Sequence, residues 1–339
     1  MRTIKWQNGK VVTIDQTKLP HETVLLEMED VEEVAEGIKS MRMRGAPLLG
    51  AAAAFGMALV AYHSKTKNER RLISALEEAG ELLKETRPTA VNLFWAVDRI
   101  LDEVKDCRGS VEKLTELVLE EAQRIAEEDV KANRLIGMHG GELMEEGDTI
   151  LTHCNAGGLA TVEYGTALGV IRGAWEQGKK IEVVATETRP KLQGARLTAY
   201  ELKRDGIPVT LVTDNMVGYL MYNKGVDKVV VGADRIVRDA VINKIGTYTI
   251  AVLAEEHGIP FYVAAPKSTF DLQRTAEETT IEERSPEEVL QFGCERIAPE
   301  GVDAFNPAFD FTPMKYVTGI ICEDGVLERN DLTEFEANL

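Results

Sequence analysis

The chain has 339 residues, of which 44% are hydrophobic, and a formal net charge of −18. A chain of this length usually forms more than one core, so we expect two domains. A surface this acidic repels nucleic acids and anionic lipid, so neither is expected as a partner.

The composition also bears on where the protein works. The N-terminal MRTIKWQNGK lacks the apolar segment of a signal peptide, and the apolar run at 46–62 is interrupted and short for a membrane span. The four cysteines, which form no CxxC pair, are Cys107, Cys154, Cys294 and Cys322. We therefore predict a cytoplasmic protein with no disulfide framework, metal or cofactor.

The first part of the chain predicts a hairpin followed by helices. Asn8-Gly9 supplies the two residues of a tight primed turn inside TIKWQNGKVVTIDQ, and ETVLLEMED adds a third strand. From about residue 30 to 145 apolar residues recur at helical spacing. Pro47 and Pro88 lie where first helical turns are expected.

After about residue 147 the pattern changes to short, continuous apolar strands alternating with helices. Strands that are apolar on both faces indicate a parallel sheet covered by helices on each side. The predicted fold is therefore α/β: a β-hairpin plus helical domain over 1–127, a connecting helix over 128–146, and an open parallel-sheet domain over 147–339.

Ligands of such sheets bind beyond the carboxyl ends of the strands. Five predicted strands end in polar or reactive residues, although many such loops carry polar residues merely as helix caps. These ends are His153-Cys154-Asn155, Thr186-Glu187-Thr188-Arg189, Thr213-Asp214-Asn215, Gly232-Ala233-Asp234-Arg235 and Pro266-Lys267-Ser268.

Cys154 and Asp234 are the candidate catalytic groups. Amides at a following helix start would lower the pKa of the Cys154 thiol, whereas a buried, inert cysteine is the alternative. His153 is not expected to act as its base, because adjacent strand residues point to opposite faces. Asp234 emerges from the apolar strand VVVGAD, where burial would raise its pKa and suit acid–base work; a helix-capping role is the alternative.

Three segments predict an anion-binding site. Arg44-Gly45-Ala46 precedes Pro47 and an apolar helix, which combines free amides, a helix dipole and a guanidinium. Arg87 before Pro88 and Asn243-Lys244 before another apolar helix repeat the arrangement. Because no GxGxxG or P-loop motif occurs, a small anion is favoured over a nucleotide.

The assembled motifs resemble the methylthioribose-1-phosphate isomerases, within a wider superfamily of isomerases and initiation-factor-2B-like proteins. The motifs that carry the resemblance are RGAP (44–47), TRPTAVNLFWA (86–96), THCNAG (152–157), ETRPKLQGARLTAYEL (187–202), TDNM (213–216), GADRI (232–236), NKIGTY (243–248), EER.PEEV (282–289) and NPAFDFTP (306–313).

The resemblance implies a Rossmann-like C-terminal domain, a homodimer, and Cys154 with Asp234 as the catalytic pair. It also implies an activity in methionine salvage, the conversion of 5-methylthio-D-ribose 1-phosphate into 5-methylthio-D-ribulose 1-phosphate. The residues that it implies for sugar-phosphate binding are Arg44, Gly45, Ala46, Arg87, Gln193, Asn243 and Lys244.

Two alternatives remain at this stage. A ribose-1,5-bisphosphate isomerase would share the Cys/Asp pair but need cationic groups at the 5-position. A non-catalytic initiation-factor-2B-like regulatory subunit would need neither catalytic residue. Leu93, Phe94 and Trp95 could line a pocket for a methylthio group, although core positions are the simpler expectation.

Overall fold

The computed structural model describes residues 1–106, 109–293 and 295–328. Cys107, Cys294 and the end of the predicted second domain, 329–339, lie outside the described residues. Of the described cysteines, Cys154 and Cys322 carry free thiols.

The chain opens with a three-stranded antiparallel sheet formed by β1 (Ile4–Gln7), β2 (Lys10–Ile14) and β3 (Leu25–Met28). Asn8 and Gly9 both have positive φ, 52° and 77°, as a primed two-residue turn requires. The predicted hairpin and its third strand are confirmed.

Helices follow over the whole predicted helical region. They are α1 (Val31–Lys39), α2 (Ala46–His63), α3 (Glu69–Thr86), α4 (Val91–Asp106) and α5 (Val111–Leu143). Asp30, Asn68 and Ser110 begin α1, α3 and α5 with side-chain caps. Pro47 lies in the first turn of α2 as expected, whereas Pro88 lies in the turn before α4.

Helix α2 is the centre of the helical part. It packs against α1, α3, α4 and α5, which explains why its sequence is apolar on every side. Within the described residues it is the one helix long and apolar enough to cross a bilayer, but 78% of that segment is buried inside the protein. Its composition is that of a core helix.

The second half alternates strands and helices. These elements are β4 (Thr149–Thr152), α6 (Ala167–Glu176), β5 (Glu182–Thr186), α7 (Ala199–Arg204), β6 (Val209–Val212), α8 (Val217–Tyr222), β7 (Lys228–Val231), β8 (Arg235–Val237), β9 (Ala240–Lys244), α9 (Thr247–Glu256), β10 (Phe261–Ala264), β11 (Phe270–Asp271), α10 (Glu287–Leu290), β12 (Gln291–Phe292), β13 (Glu295–Arg296), β14 (Phe309–Pro313), β15 (Gly319–Cys322) and β16 (Gly325–Glu328).

The main sheet has the order β16-β15-β10-β7-β4-β5-β6 in the part of the chain that the structure describes. All its strand pairs are parallel except β15 with β16. Read from β6 to β15, the strands follow the 3-2-1-4-5-6 order of Rossmann folds. The predicted α/β class and Rossmann-like sheet are confirmed.

A second sheet, β11-β8-β9-β14, was not predicted. Its strands are two to five residues long, too short for periodicity to reveal. It places Asn243 and Lys244 at the end of β9, and it pairs that strand with β14 from the NPAFDFTP motif.

Helix α5 joins the two halves. Its 33 residues run without interruption from Val111 to Leu143, and it packs against α2 on one side and α6 on the other. The predicted division at 127/128 and 146/147 therefore falls partly within a continuous helix, and it stays a prediction.

Candidate active site

Cys154 and Asp234 lie at the switch point of the main sheet. Cys154 follows β4 and Asp234 follows β7, and these two strands are direct neighbours. A crevice opens where the strand order reverses, because the connections on either side leave the sheet in opposite directions. Both side chains line one cavity there, so residues eighty positions apart in the chain are brought together.

Burial dominates the electrostatics of the pair. It raises the pKa of the Asp234 carboxyl, while the charges of Arg87, Lys244 and Arg44 act in the opposite direction. Burial also raises the pKa of the Cys154 thiol, against the lowering effects of Arg44 and Lys244. The expected lowering of the thiol pKa is therefore wrong: the nearest helical turn begins only at Gly158, and burial outweighs the cations.

Arg44 joins the helical half to the sheet half. Its guanidinium donates to the Gln16 side chain at 3.0 Å and to the Asn155 carbonyl oxygen at 2.9 Å, and it also bonds the Asn155 side-chain oxygen. It lines the cavity with only 7% of its surface exposed. A buried cation thus forms part of the cavity wall beside the Cys154 loop.

Gly45 immediately precedes α2 and lies in the same cavity wall as Arg44. Its φ of 106° is one that side-chain-bearing residues rarely adopt, and an added Cβ would lie 2.5 Å from the Ala160 Cα. No described side chain caps this helix start. The first-turn amide of Ala46 and the helix dipole therefore face the cavity, as an anion site requires.

Arg87 is placed at the cavity but is already paired. It ends α3, and its Nε and Nη2 lie 3.1 and 3.0 Å from Glu282 Oε2. Glu282 also accepts a bond from Arg284 at 3.0 Å. The expectation that Arg87 sits at a helix entrance is corrected, because α4 begins at Val91, beyond the turn that holds Pro88.

Asn243 and Lys244 also reach the cavity, but from a strand end. The Lys244 Nζ donates to the Ala308 carbonyl oxygen at 3.0 Å, and burial lowers the pKa of this lysine. The α9 start that follows is occupied, since the Asp310 carboxylate accepts from the amides of Gly246 at 2.7 Å and Tyr248 at 3.2 Å. The expected third cationic helix entrance is therefore wrong.

Gln193 has a buried side-chain oxygen with no hydrogen-bond partner among the described residues. The residue is 5% exposed and lines the cavity. Buried amide oxygens are normally paired, so this one points to a donor brought by a ligand. Every residue implied for substrate binding thus lines the same cavity as Cys154 and Asp234.

Of the other polar strand ends, one holds a histidine that is fixed by hydrogen bonds, and another lies away from the cavity. Both ring nitrogens of His153 are engaged, with Thr186 Oγ1 at 2.6 Å and the Ile245 carbonyl oxygen at 2.9 Å, so it is not a base for Cys154. Lys267 and Ser268 line a separate cleft beside α4 and α5.

The aromatic segment of α4 does not reach the cavity that contains Cys154 and Asp234. Leu93 is fully buried, and Phe94 and Trp95 pack against the helical core. Leu93 is a core residue, Phe94 and Trp95 are partly buried, and none of the three lines the cavity that contains Cys154.

Comparison with known proteins gives the family. The model of the initiation factor 2 subunit family matches residues 42–329. A methylthioribose-1-phosphate isomerase from Thermosipho africanus is 53% identical over 327 residues, which cover 96% of this chain and 94% of that protein. The chain therefore belongs to the initiation factor 2 subunit family, as do relatives named methylthioribose-1-phosphate isomerase.

Two solved structures are similar over nearly the whole chain. The crystal structure of 5-methylthioribose 1-phosphate isomerase from Pyrococcus horikoshii has a TM-score of 0.92 at 49% identity, covering 99% of this chain and 96% of that one. The crystal structure of the translation initiation factor eIF-2B, subunit delta, from A. fulgidus has a TM-score of 0.87 at 54% identity, covering 98% and 97%.

The cavity also contains residues that the sequence patterns did not single out. Lys191, Arg284 and Phe309 line the cavity and come from the motifs ETRPKLQG, EER.PEEV and NPAFDFTP. The motifs were noted only because they resemble the family, and nothing in their spacing indicates that they lie beside Cys154. Across the described residues, no group of three or more His, Cys, Asp or Glu side chains is arranged to hold a metal.

Proposed function

We propose that this chain is a methylthioribose-1-phosphate isomerase, which converts 5-methylthio-D-ribose 1-phosphate into 5-methylthio-D-ribulose 1-phosphate. The observation that carries the proposal is the meeting of Cys154 and Asp234 beyond adjacent strands, in one cavity with buried cations. Sequence relatives with this activity in their names cover nearly the whole chain.

The phosphate binds at the wall formed by the α2 start. The Ala46 amide, the helix dipole and the guanidinium of Arg44 converge there, and Lys244 adds a second buried cation. Local capture of this kind overcomes the repulsion between a net charge of −18 and an anionic substrate. Gln193 offers its unpartnered side-chain oxygen to a sugar hydroxyl.

An apolar side pocket opens from the cavity beside Asp234 and takes the methylthio group. Leu49, Ala90, Ile242 and Ile281 contribute its apolar lining, and Phe309 is shared with the main cavity. A thioether gains free energy when it is buried among such side chains.

The same pocket disfavours a 5-phosphate, and with it the ribose-1,5-bisphosphate alternative. Its two cations already face carboxylates: Arg235 lies 3.6 Å from Asp271, and Arg87 lies 3.0 Å from Glu282. A phosphate placed there would have to compete for them with existing partners and lose its hydration.

Asp234 acts as the acid that opens the sugar ring. Its raised pKa keeps the carboxyl protonated at higher pH than an exposed aspartate, so it can give its proton to the ring oxygen. Because the anomeric oxygen carries phosphate, opening needs this assistance. The resulting carboxylate then accepts the proton of the C2 hydroxyl as the ketone forms.

Two routes complete the transfer between C2 and C1. In the first, a Cys154 thiolate removes the C2 proton and an enol is protonated at C1. In the second, hydride passes directly from C2 to C1, and the neutral Cys154 thiol contacts the sugar without exchanging a proton with it. Burial raises the pKa of the Cys154 thiol, which disfavours the thiolate that the first route requires and so favours the second.

Isotope transfer distinguishes the routes. Substrate deuterated at C2 is converted in ordinary water and the product is examined by NMR. We expect deuterium to be retained fully at C1. Wash-out to solvent would instead assign an exchanging base to the active site.

The proposed function is tested by turnover of both sugar phosphates at equal concentration. We expect conversion of the methylthio substrate and little of the bisphosphate. Asp234→Asn should lose about 10²-fold or more in kcat, the usual range for a positioned proton-transfer group, and Cys154→Ala should lose as much only on the thiolate route. Absence of turnover by the wild-type protein would favour the non-catalytic alternative, a regulatory subunit of the initiation-factor-2B kind.

We further propose that the protein is a cytoplasmic homodimer. Apolar side chains are exposed along the edge strand β6 and the segment after it, where Leu211 is 48%, Tyr219 73% and Tyr222 76% exposed. An exposed aromatic patch of this kind is typical of an interface. Sedimentation of the wild-type protein and Tyr219→Glu tests this, with a monomer expected from the variant.

A further inference from the structure

Cys154 has a backbone conformation that needs support. Its φ is +63°, in the left-handed region that residues with side chains enter at a cost. Such conformations persist where the surroundings fix them. The direction of the sulfur therefore depends on whatever holds this residue.

Two buried threonines hold the Cys154 backbone from opposite sides. The Cys154 amide donates to Thr188 Oγ1 at 2.9 Å, and Thr198 Oγ1 donates to the Cys154 carbonyl oxygen at 2.6 Å. Both threonines are fully buried, so water does not replace either bond. Neither is among the described residues that line the cavity, so they act through Cys154.

The Thr188 hydroxyl continues into a chain of hydrogen bonds. It lies 3.2 Å from Thr186 Oγ1, which in turn lies 2.6 Å from His153 Nδ1. Because the Ile245 carbonyl oxygen can only accept, His153 Nε2 carries the proton and Nδ1 accepts from Thr186. Burial lowers the pKa of His153, which favours this neutral form. This series of hydrogen bonds connects Cys154 to Ile245, the residue that follows Lys244.

Thr188 is itself fixed in an unusual conformation. Its φ is +65°, and its amide donates to Asp214 at 2.8 Å, while the Arg189 amide donates to the same carboxylate at 2.7 Å. A Cβ at Gly194 would overlap the Thr186 carbonyl oxygen and lie 2.9 Å from Thr188 Oγ1. The ETRPKLQG and TDNM motifs thus meet directly behind the cysteine.

We propose that Thr198 and Thr188 are positioning residues that hold Cys154 in its left-handed conformation and direct its sulfur into the cavity. The proposal rests on the function proposed above for Cys154. It assigns to two buried hydroxyls the orientation of Cys154, while substrate binding is proposed for Arg44 and Gln193; the Thr198 hydroxyl also accepts from Asn155 Nδ2 at 3.2 Å, a bond that Thr198→Ser keeps. Loss of either hydroxyl therefore impairs the chemical step more than substrate affinity.

The test is a pair of substitutions at Thr198. Thr198→Val keeps the shape and removes the donor, whereas Thr198→Ser keeps the hydroxyl. We expect kcat to fall about tenfold or more in Thr198→Val, as loss of a buried hydrogen bond predicts, with KM changed by less than about threefold. Thr198→Ser should restore kcat to within about threefold of wild type.

Thr13 supplies the matched control. It is 1% exposed, and its hydroxyl donates to the Thr3 carbonyl oxygen at 3.0 Å, the same kind of bond in a different part of the protein. Thr13→Val should leave kcat unchanged. Equal kcat values in Thr198→Val and Thr13→Val would overturn the proposal, as would a failure of Thr198→Ser to restore activity in a folded protein.

A second readout does not depend on turnover. The rate at which iodoacetamide alkylates Cys154, followed by mass spectrometry of its peptide, should rise in Thr198→Val because the thiol is no longer held in the cavity. An unchanged rate would contradict the positioning role even if the wild-type protein turned over neither sugar phosphate. A wild-type protein without turnover whose Thr198→Val variant is alkylated faster would therefore contradict the proposed function and still support the positioning role.

Discussion

Helices α2 and α9 both begin after a glycine of positive φ and differ in what occupies their first turn. Each begins after a glycine with φ near 105°, Gly45 at 106° and Gly246 at 105°. No described side chain caps α2, whereas the Asp310 carboxylate binds the amides at the start of α9. A helix start attracts anions, so it serves a ligand only where the protein has not supplied its own carboxylate.

The second residue of each helix sharpens the contrast. In α2 it is Pro47, which has no amide hydrogen; in α9 it is Tyr248, whose amide donates to Asp310 at 3.2 Å. The α2 start therefore presents the Ala46 amide beside Arg44, while the α9 start supports the segment that carries Lys244.

The largest effect is expected from Gly45→Ala. The new Cβ would meet the Ala160 backbone at 2.5 Å in a φ region that alanine avoids. Backbone strain and overpacking together should lower the free energy of unfolding by more than about 3 kcal/mol. Thermal unfolding and turnover measure this loss.

Gly206→Ala is the control for Gly45→Ala. Gly206 also has a positive φ, 74°, but a Cβ there would meet nothing within 4 Å. It should cost only about 1 kcal/mol from strain. Similar losses in the two variants would mean that the close approach of α2 to Ala160 contributes little.

The next effect concerns Asp310 and pH. Burial raises its pKa from 3.8 to about 6, so between these values the folded protein binds more protons than the unfolded chain. Stability from this group is therefore lost as the pH rises from about 4 to about 6, by up to about 3 kcal/mol. Asp310→Asn should remove that loss.

Denaturant unfolding at several pH values checks this. The difference between wild type and Asp310→Asn isolates the group from the other carboxyls, because those titrate in both proteins. A difference that stays constant from pH 4 to pH 7 would show that Asp310 titrates normally despite its position at the α9 start.

Gly246→Ala should act more mildly than Gly45→Ala. The added Cβ would lie 3.1 Å from the His153 ring rather than against backbone. The His153 ring is held by bonds to Thr186 and Ile245 and can move by only a few tenths of an ångström, so we expect a loss of about 1–2 kcal/mol, mainly from backbone strain. Calorimetry of both alanine variants measures the comparison directly, and an equal loss would contradict it.

Pro47→Ala should have the smallest effect. It gives the unfolded chain more freedom and costs about 0.5–1 kcal/mol, without disturbing packing. It also adds a donor to the uncapped α2 start, so KM for the sugar phosphate should stay the same or fall. A rise in KM with unchanged stability would argue against phosphate at this position.

The sequence predicted elements where local signals are strong. Asn8-Gly9 indicates its turn through backbone preference, and α2 is recognisable because only a surrounded helix is apolar on every face. The carboxyl ends of β4 and β7 identified Cys154 and Asp234, since residues at strand ends of a parallel sheet share an edge.

What the sequence did not predict depends on contacts between distant segments. Nothing near α9 indicates that Asp310, more than sixty residues further along, caps it, or that Glu282 pairs with Arg87. The thiol pKa was expected to fall because helix amides were considered without the burial that opposes them.

The bonds from Arg44 to Asn155 bear on how such an enzyme could be divided or rebuilt. The reactive thiol and carboxyl come from the Rossmann-like half, but the cationic wall beside them comes from the helical half, and α5 is shared by both. A fragment limited to the sheet would keep its reactive groups and Lys244 but lose Arg44 and the α2 start, which form the rest of the proposed phosphate site. A shortened or recombined version of the protein would therefore have to keep both halves together.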